Sequence, residues 1–304
     1  MIAFESLPSP VLLQGDARVA YRDPAVLYHE ATFHLFFTLV ETEDDGRVFL
    51  YVATSRSTDL RTWSPPRRLT PKDRNLNFSS PGNIIHHGGN WMMCLQTYPR
   101  PNGEKYGNAN ARIFTMSSPD LEEWGTPRLL KVKGPGVPDA DMGRMIDPYL
   151  VADKDQPGKW WCFYKQNGVS LSSSPDLENW TYSGHAEAGE NACVIVDENE
   201  YVLFHSPQNG IGIKRSSDLQ QWRDDGLFFL GQKQWPWAQG RLTAGFALDL
   251  RREPAVGKVL LFFHGSGPED EQTCFDTHAS IGLAWSDTMD DITTWNWPKK
   301  DRSS

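Results

Sequence analysis

The chain has 304 residues, of which 39% are hydrophobic and 23% charged, a composition typical of a soluble globular protein with a sizeable core. A formal net charge of -9 and the lack of any long Lys/Arg run argue against nucleic acid as a partner. No segment approaches the roughly 20 apolar residues of a membrane span, and the first ten residues lack the features of an export signal. We therefore expect no membrane partner and, for the chain as given, a cytoplasmic location.

A pattern of two β-rich runs separated by a short polar turn occurs five times along the chain. The five pairs of runs are residues 25–28 with 33–38, 83–86 with 91–97, 149–152 with 160–165, 193–196 with 201–205, and 246–250 with 259–264. Helical periodicity is nearly absent, because no window keeps apolar residues at the spacing of a helix face without an interrupting Gly or Pro. The chain is therefore predicted to be all-β.

A pentapeptide of the form Asp-(Leu/Ile)-x-x-Trp follows each of these pairs. Its copies are residues 59–63, 120–124, 176–180, 218–222 and 291–295. The first four copies come after a third strand-like run that ends in Ser or Thr, and a short polar-edged run follows the pentapeptide. Each repeat thus supplies about four strands, which is the content of one propeller blade.

Five such repeats predict a five-bladed β-propeller formed by a single domain over residues 1–304. Within it we expect a short N-terminal lead-in over residues 1–20 and a loose C-terminal tail over residues 298–304. A stacked solenoid is the main structural alternative, but its repeats hold a nearly constant length. The spacing between the pentapeptide tryptophans varies widely, which favours a closed ring whose blades carry different loops.

Four cysteines and twelve tryptophans bear on this interpretation. The cysteines form no Cys-x-x-Cys pair, and the first three lie in apolar runs, which favours buried thiols over disulfides. They are Cys94, Cys162, Cys193 and Cys274. Five of the tryptophans belong to the pentapeptide, and we predict that they are structural, because a residue at an equivalent turn of every blade cannot serve a single ligand site.

An acidic residue stands just before the first strand in three of the five repeats, as Asp23, Asp147 and Glu190, while Ser80 and Thr243 hold the matching position in the other two. One Asp before Pro is commonly a turn residue. Three acids in one register of a ring, however, converge on the mouth of the central channel, where they raise each other's pKa values, a cost typical of active sites. Glycoside hydrolysis uses such a group: one carboxylic acid protonates the leaving oxygen, and a second carboxylate acts on water or on the sugar.

Further candidates for substrate binding surround these acids in the sequence. Arginines next to catalytic carboxyl groups can lower a carboxyl pKa and donate to sugar hydroxyls, and polar residues that end the second strand of each blade should lie at the same mouth. The arginines are Arg22, Arg144 and Arg241, and the strand-end residues are Thr38, Gln96, Lys165, His205 and His264. His264, ahead of His205, is a candidate sugar or ion ligand. Trp235 and Trp237, outside the repeat, could form a wall on which a sugar stacks.

The order Asp, Asp, Glu in blades one, three and four resembles glycoside hydrolase family 43, over residues 22–295. The strongest marks are Tyr-Arg-Asp-Pro at residues 21–24 and Ile-Asp-Pro-Tyr at residues 146–149. The resemblance implies a five-bladed propeller that cleaves arabinosides, xylosides or galactosides, with Asp23 as general base, Asp147 as the residue that tunes and orients the acid, and Glu190 as general acid. In the family a small residue and Pro often follow the acid, whereas Asn191 and Ala192 follow Glu190 here, and Glu187 is the reserve candidate.

The resemblance also implies that no cofactor is required, although a structural Ca²⁺ on the axis is compatible with it and His264 is its one candidate ligand. We expect an inverting arabinofuranosidase-like or xylosidase-like hydrolase of plant-type polysaccharides or oligosaccharides, because the acid and the base come from facing blades. Three alternatives stay open: a retaining propeller hydrolase of the β-fructosidase kind, a non-catalytic carbohydrate-binding propeller, and a glycoside phosphorylase with basic groups that hold phosphate.

Overall fold

The computed structural model describes residues 2–268, 276–289 and 295–299, and it forms a five-bladed β-propeller, as the repeats predict. Each blade is a four-stranded antiparallel sheet. The remaining regular structure consists of short 3₁₀ turns at Phe4–Ser6, Asp139–Met142, Gln232–Gln234 and Pro236–Ala238. In this described part of the chain, no helix has the length and apolar character to cross a membrane.

Blades one to four each use four consecutive strands, ordered from the central axis outwards. Blade one contains β2 (Val19–His29), β3 (Thr32–Thr42), β4 (Val48–Ser57) and β5 (Arg67–Arg68). Blade two contains β6 (Phe78–His87), β7 (Asn90–Thr97), β8 (Ile113–Ser118) and β9 (Arg128–Leu129). Blade three contains β10 (Ile146–Ala152), β11 (Trp160–Lys165), β12 (Val169–Ser174) and β13 (Thr181–Ala186). Blade four contains β14 (Glu190–Asp197), β15 (Glu200–Ser206), β16 (Ile211–Ser216) and β17 (Arg223–Phe228).

Blade five is built from both ends of the chain. Its inner strands are β18 (Arg241–Asp249), β19 (Val259–Ser266) and β20 (Ser280–Ser286), and its outer strand is β1 (Val11–Leu13), paired antiparallel with β20. The N-terminal residues that the sequence suggested as a lead-in therefore close the ring. The pairing of β1 with β20 joins the start of the chain to the last blade and leaves a short outer edge strand, as in other propellers.

The pentapeptide forms the same turn in each described copy. In blade four the carboxylate of Asp218 accepts hydrogen bonds from the backbone N–H groups of Gln220 and Gln221, at 2.8 and 2.9 Å. The buried Leu219 that follows Asp218 adopts a left-handed φ of 64°. A left-handed φ is unfavourable for leucine, so burial of its side chain and the capping by Asp218 must offset the strain. Leu60, Leu121 and Leu177 repeat this geometry; residues 291–294 of the fifth copy lie outside the described residues.

The pentapeptide tryptophans pack on the blades, as expected of structural residues. Trp180 is 2% exposed and its indole N–H donates to the Leu177 carbonyl at 3.0 Å. Trp295 of the fifth copy is also buried. Cys94, Cys162 and Cys193 are buried free thiols, as predicted, and burial raises the pKa of Cys94 to about 12. Cys274 lies outside the described residues.

Candidate active site

The first strand of every blade carries a β-bulge at the same place, near the mouth of the central channel. One residue of each bulge adopts a left-handed φ between 46° and 53°, which turns its side chain out of the regular alternation of the strand. These residues are Asp23, Ser80, Asp147, Asn191 and Ala244. Asp and Asn tolerate this conformation better than most residues. The bulges thus aim Asp23 and Asp147 at a common space on the axis.

Glu190 does not share this register, which corrects the alignment made from the sequence. It pairs with Ser206 before the bulge of blade four, and the bulge residue is Asn191. In blade five the bulge residue is likewise Ala244 rather than Thr243. Glu190 therefore occupies the position that Arg22 holds in blade one, where Arg22 pairs with Thr38. Its side chain is 41% exposed, whereas that of Asp23 is 8% exposed.

The three carboxyl groups nevertheless line one cavity of about 530 Å³ at the channel mouth. Its wall also includes five sequence-based candidates, Arg22, Gln96, Arg144, Arg241 and His264. Tyr98 and Tyr106 of blade two and Gln208 of blade four line it as well. Glu187 does not line this cavity, and its side chain is 89% exposed. The geometry thus favours Glu190 over Glu187 as the third carboxyl group of the site.

The Asp23 carboxyl group is held by groups from blades one and four. The Thr38 hydroxyl donates to its carboxylate at 2.8 Å, and the Asn191 side-chain amide lies 3.5 Å from the other oxygen. The guanidinium of Arg22 lies 3.7 Å from the same oxygen that Thr38 contacts. These contacts give hydrogen-bond and charge partners to a carboxyl group that is only 7% exposed.

Asp147 is equally buried, and its environment favours the protonated form. Burial and the negative charges of Glu190 and Asp23 raise the pKa of Asp147 to about 7. The Ser80 hydroxyl donates to one carboxylate oxygen at 2.8 Å, and the Asn191 backbone N–H donates to the other at 3.2 Å, which partly opposes the rise. A carboxyl with this pKa binds or releases a proton at neutral pH.

A set of hydrogen bonds between neighbouring blades fixes the bulges. In four of the five junctions, a side chain of one blade's second strand accepts the N–H of the next blade's bulge residue. The acceptors are Thr38 for Ser80 (2.7 Å), Gln96 for Asp147, Ser206 for Ala244 (2.8 Å) and His264 for Asp23 (3.0 Å). Between blades three and four the Asp147 carboxylate itself accepts the Asn191 N–H. Asp147 therefore closes the ring of contacts as well as lining the cavity.

His264 has a different role in this geometry from the ion ligand suggested by the sequence. Its Nδ1 atom accepts the Asp23 N–H, and burial together with the charges of Arg22 and Arg241 lowers its pKa to about 3, so the ring is neutral. A calcium ion takes about six to eight oxygen ligands, whereas no group of three His, Cys, Asp or Glu residues in the described ranges is arranged to hold a metal. The residues around His264 do not fit Ca²⁺, because the two guanidinium groups would repel it.

Five of the substrate-binding candidates from the sequence do not line the cavity, namely Thr38, Lys165, His205, Trp235 and Trp237. His205 is 7% exposed and accepts the Gly189 N–H at 3.0 Å through Nδ1, so it supports the turn before Glu190. Trp235 is 4% exposed and stacks on Trp237 with ring centroids 5.1 Å apart. Both rings also stack on Phe263 inside blade five. The tryptophans that the sequence suggested as a sugar-stacking wall therefore pack within blade five and not at the cavity.

The cavity is lined by the rings of Tyr98 and Tyr106, which were not among the candidates from the sequence. They belong to the segment 98–112 that joins β7 to β8, a much longer connection than the segment 166–168 that joins β11 to β12. Tyr106 is 57% exposed. The length of this connection in the sequence was the available signal, because long loops at the mouth of a propeller carry its ligand contacts.

Of the comparisons with known proteins, the one with solved structures agrees with this fold. No family model and no curated protein sequence matches the chain. Among solved structures it is similar to an exo-β-1,3-galactanase from Clostridium thermocellum, with a TM-score of 0.62 and 18% identity over 88% of this chain. The chain spans 60% of the length of that galactanase.

Two further structures are covered almost completely. A thermostable family-43 glycoside hydrolase matches with a TM-score of 0.63 and 14% identity over 98% of both chains. An α-L-arabinanase mutant from Cellvibrio cellulosa matches with a TM-score of 0.63 and 16% identity over 89% of this chain and 92% of the arabinanase. The chain therefore has the five-bladed propeller fold of the family-43 glycoside hydrolases, and the resemblance inferred from its residues is confirmed at the level of the fold.

Proposed function

We propose that the protein is a glycoside hydrolase that uses Asp23, Asp147 and Glu190. The observation that carries this proposal is the presence of three carboxyl groups in one open cavity, one of which has its pKa raised to about 7. Buried acids of this kind are costly to a scaffold and are typical of acid–base catalysis. The cavity size suits one or two sugar residues, and its wall mixes aromatic rings with hydrogen-bonding groups.

The environments of the three carboxyl groups suggest three roles. Asp23, held by Thr38 and Arg22, is suited to the general base that activates water. Glu190 is the most exposed of the three and can reach the oxygen of a leaving group as general acid. Asp147 has no arginine within 4.0 Å among the described residues. It is suited to tuning the acid, because its proton would reduce the negative charge near Glu190.

The direct attack of water would invert the anomeric centre. Asp23 and Glu190 belong to blades one and four, which are not neighbours in the ring. We expect their carboxyl groups to be roughly 6.5–9.5 Å apart, which leaves room for a water molecule, whereas a retaining enzyme needs about 5–5.5 Å. The three solved structures described above are named as a galactanase, a family-43 hydrolase and an arabinanase. These names and the family resemblance drawn from the sequence make arabinosides, xylosides and galactosides the first substrates to examine.

A panel of aryl glycosides tests this function. The full chain is assayed with aryl α-L-arabinofuranosides, β-D-xylosides and β-D-galactosides, and then with oligosaccharides of the sugar that is cleaved. Asp23→Asn and Glu190→Gln should each lower kcat by at least about a thousandfold without loss of stability. Glu187→Gln is the matched control, because Glu187 is exposed and outside the cavity, and it should keep full activity. Full activity of Glu190→Gln would refute the assigned acid, and an inactive wild type on every glycoside would refute the function.

A further inference from the structure

Two of the three arginines that line the cavity lie within 4.0 Å of a carboxyl group of the described residues, and the third does not. Arg22 lies 3.7 Å from Asp23, and Arg241 lies 4.0 Å from Glu190. Arg144 also lines the cavity, but no carboxylate of the described residues lies within 4.0 Å of its guanidinium. The wall formed by blade two and the start of blade three thus carries an arginine that forms no ion pair with the three carboxyl groups of the cavity.

Arg144 is held in place by the loop of blade two. Its Nε donates to the Gly107 carbonyl at 3.3 Å, and its Cζ lies 5.7 Å from the centre of the Tyr98 ring. Gly107 must be glycine for this contact, because a Cβ atom there would lie 2.5 Å from the Tyr98 ring. These contacts use the Nε atom and one face of the guanidinium, so both Nη groups remain for a ligand. A guanidinium that is already oriented loses little entropy when it binds.

The same loop of blade two also carries Lys105 and an exposed aromatic ring. Tyr106 lines the cavity and is 57% exposed. The Nζ atom of Lys105 lies 5.4 Å from the centre of the Tyr106 ring. Glu104, the one acidic residue between residues 98 and 112, accepts the Asn102 N–H at 2.9 Å. The loop therefore places a flat ring at the cavity with a lysine beside it.

We propose that the space between Tyr106 and Arg144 is a subsite for an acidic sugar residue, whose carboxylate binds Arg144 while its ring stacks on Tyr106. The fork of the guanidinium matches a carboxylate with two parallel N–H···O bonds, whereas a neutral sugar can offer only hydroxyl groups. Lys105 adds attraction at the rim. This inference rests on the proposed function, because it takes the carboxyl groups of the same cavity as the reaction centre. The substrate class is then a glycan that contains glucuronic or galacturonic acid.

Binding to an inactive form of the full chain tests the subsite separately from catalysis. Glu190→Gln protein is titrated by calorimetry with disaccharides that contain glucuronic or galacturonic acid and with their carboxyl-reduced neutral counterparts. We expect an acidic disaccharide to bind at least about tenfold more tightly than its neutral counterpart. Arg144→Met, added to the Glu190→Gln protein, should abolish that preference. Arg144→Lys keeps the charge but loses the two parallel N–H donors, so it should retain part of the preference. Arg47→Met, in the turn that joins β3 to β4 of blade one, is the matched control and should leave the preference unchanged.

Each outcome decides a separate question. Equal binding of acidic and neutral disaccharides, or binding of neither, would overturn the subsite, and so would a preference that survives Arg144→Met in a protein with an unchanged melting temperature. Hydrolysis of neutral glycosides by the wild type would leave the proposed function standing in those cases. Preferential binding of the acidic disaccharide by a protein that cleaves no glycoside would support the subsite and refute the hydrolase function. Tighter binding of a sulfated disaccharide than of either uronic acid would overturn the carboxylate as the group recognised.

Discussion

Replacement of Asp147 by Asn should stabilise the protein at alkaline pH and change its stability little near pH 5. Asp147 is 7% exposed, and its pKa rises from 3.8 to about 7 on folding because of burial and the charges of Glu190 and Asp23. Asn should fit the backbone, because Asp147 has a φ of 53° and the equivalent residue of blade four, Asn191, has the same φ. The substitution therefore tests the protonation of this carboxyl with little change in shape.

The sign of the effect follows from proton binding in the two states. The folded protein binds this proton more tightly than the unfolded chain, so its contribution to stability is fully present below about pH 4 and is lost as the pH rises to about 7. A pKa rise from 3.8 to about 7 corresponds to a loss of about 4 kcal/mol above pH 7. Asn avoids this loss but has one acceptor oxygen, whereas Asp147 accepts from both Ser80 and Asn191, which costs about 1 kcal/mol.

The free energy of unfolding of both proteins should be measured in urea at pH 5 and at pH 8. At pH 8 the variant should be about 3 kcal/mol more stable than the wild type, and at pH 5 the two should differ by less than about 1 kcal/mol. Asp141→Asn, which removes an exposed carboxyl, serves as control and should give the same small difference at both values of pH. A variant that is less stable than the wild type by equal amounts at pH 5 and pH 8 would refute the raised pKa of Asp147.

Three further predictions concern the aromatic residues. Trp180→Ala should lower the free energy of unfolding by about 3–5 kcal/mol, because the side chain is fully buried; an unchanged melting temperature would contradict the structural role of the pentapeptide. Trp235→Ala should also destabilise the protein by several kcal/mol and leave KM unchanged, because Trp235 stacks within blade five; a stable variant with a raised KM would restore it as a sugar-binding residue. Tyr106→Ala should leave the melting temperature unchanged and raise KM about tenfold, since the ring is exposed at the cavity; an unchanged KM would remove Tyr106 from the site.

The fold could be predicted because its repeating turns are local. The hydrogen bonds of Asp218 to Gln220 and Gln221 span only two and three residues, so their pattern is visible in the sequence. The closure of the ring could not be predicted in the same way. It depends on three residues, Val11–Leu13, that pair with a strand at the other end of the chain. So short a run carries no periodic signal of its own.

Asp23 and Asp147 could be predicted as site residues, because each forms an Asp-Pro pair at the start of an inner strand, where the bulge lies. The position of Glu190 was misread by one residue, because a bulge is set by pairing with β15 and not by the identity of the residue that occupies it. The direction in which a loop tryptophan points depends on space elsewhere in the fold. A Cβ atom at Gly282 would lie 2.7 Å from the Trp237 ring, so this glycine makes the room into which the ring packs.

The central claim is that Asp23 activates a water molecule while Glu190 protonates the leaving group, and the configuration of the first product tests it most directly. Proton NMR of a cleaved glycoside should be recorded within the first turnovers, before the released sugar mutarotates. We predict a product whose anomeric configuration is opposite to that of the substrate, because the water attacks in a single displacement. A product of unchanged configuration would show that a covalent glycosyl-enzyme forms, and it would contradict the role of Asp23 as general base.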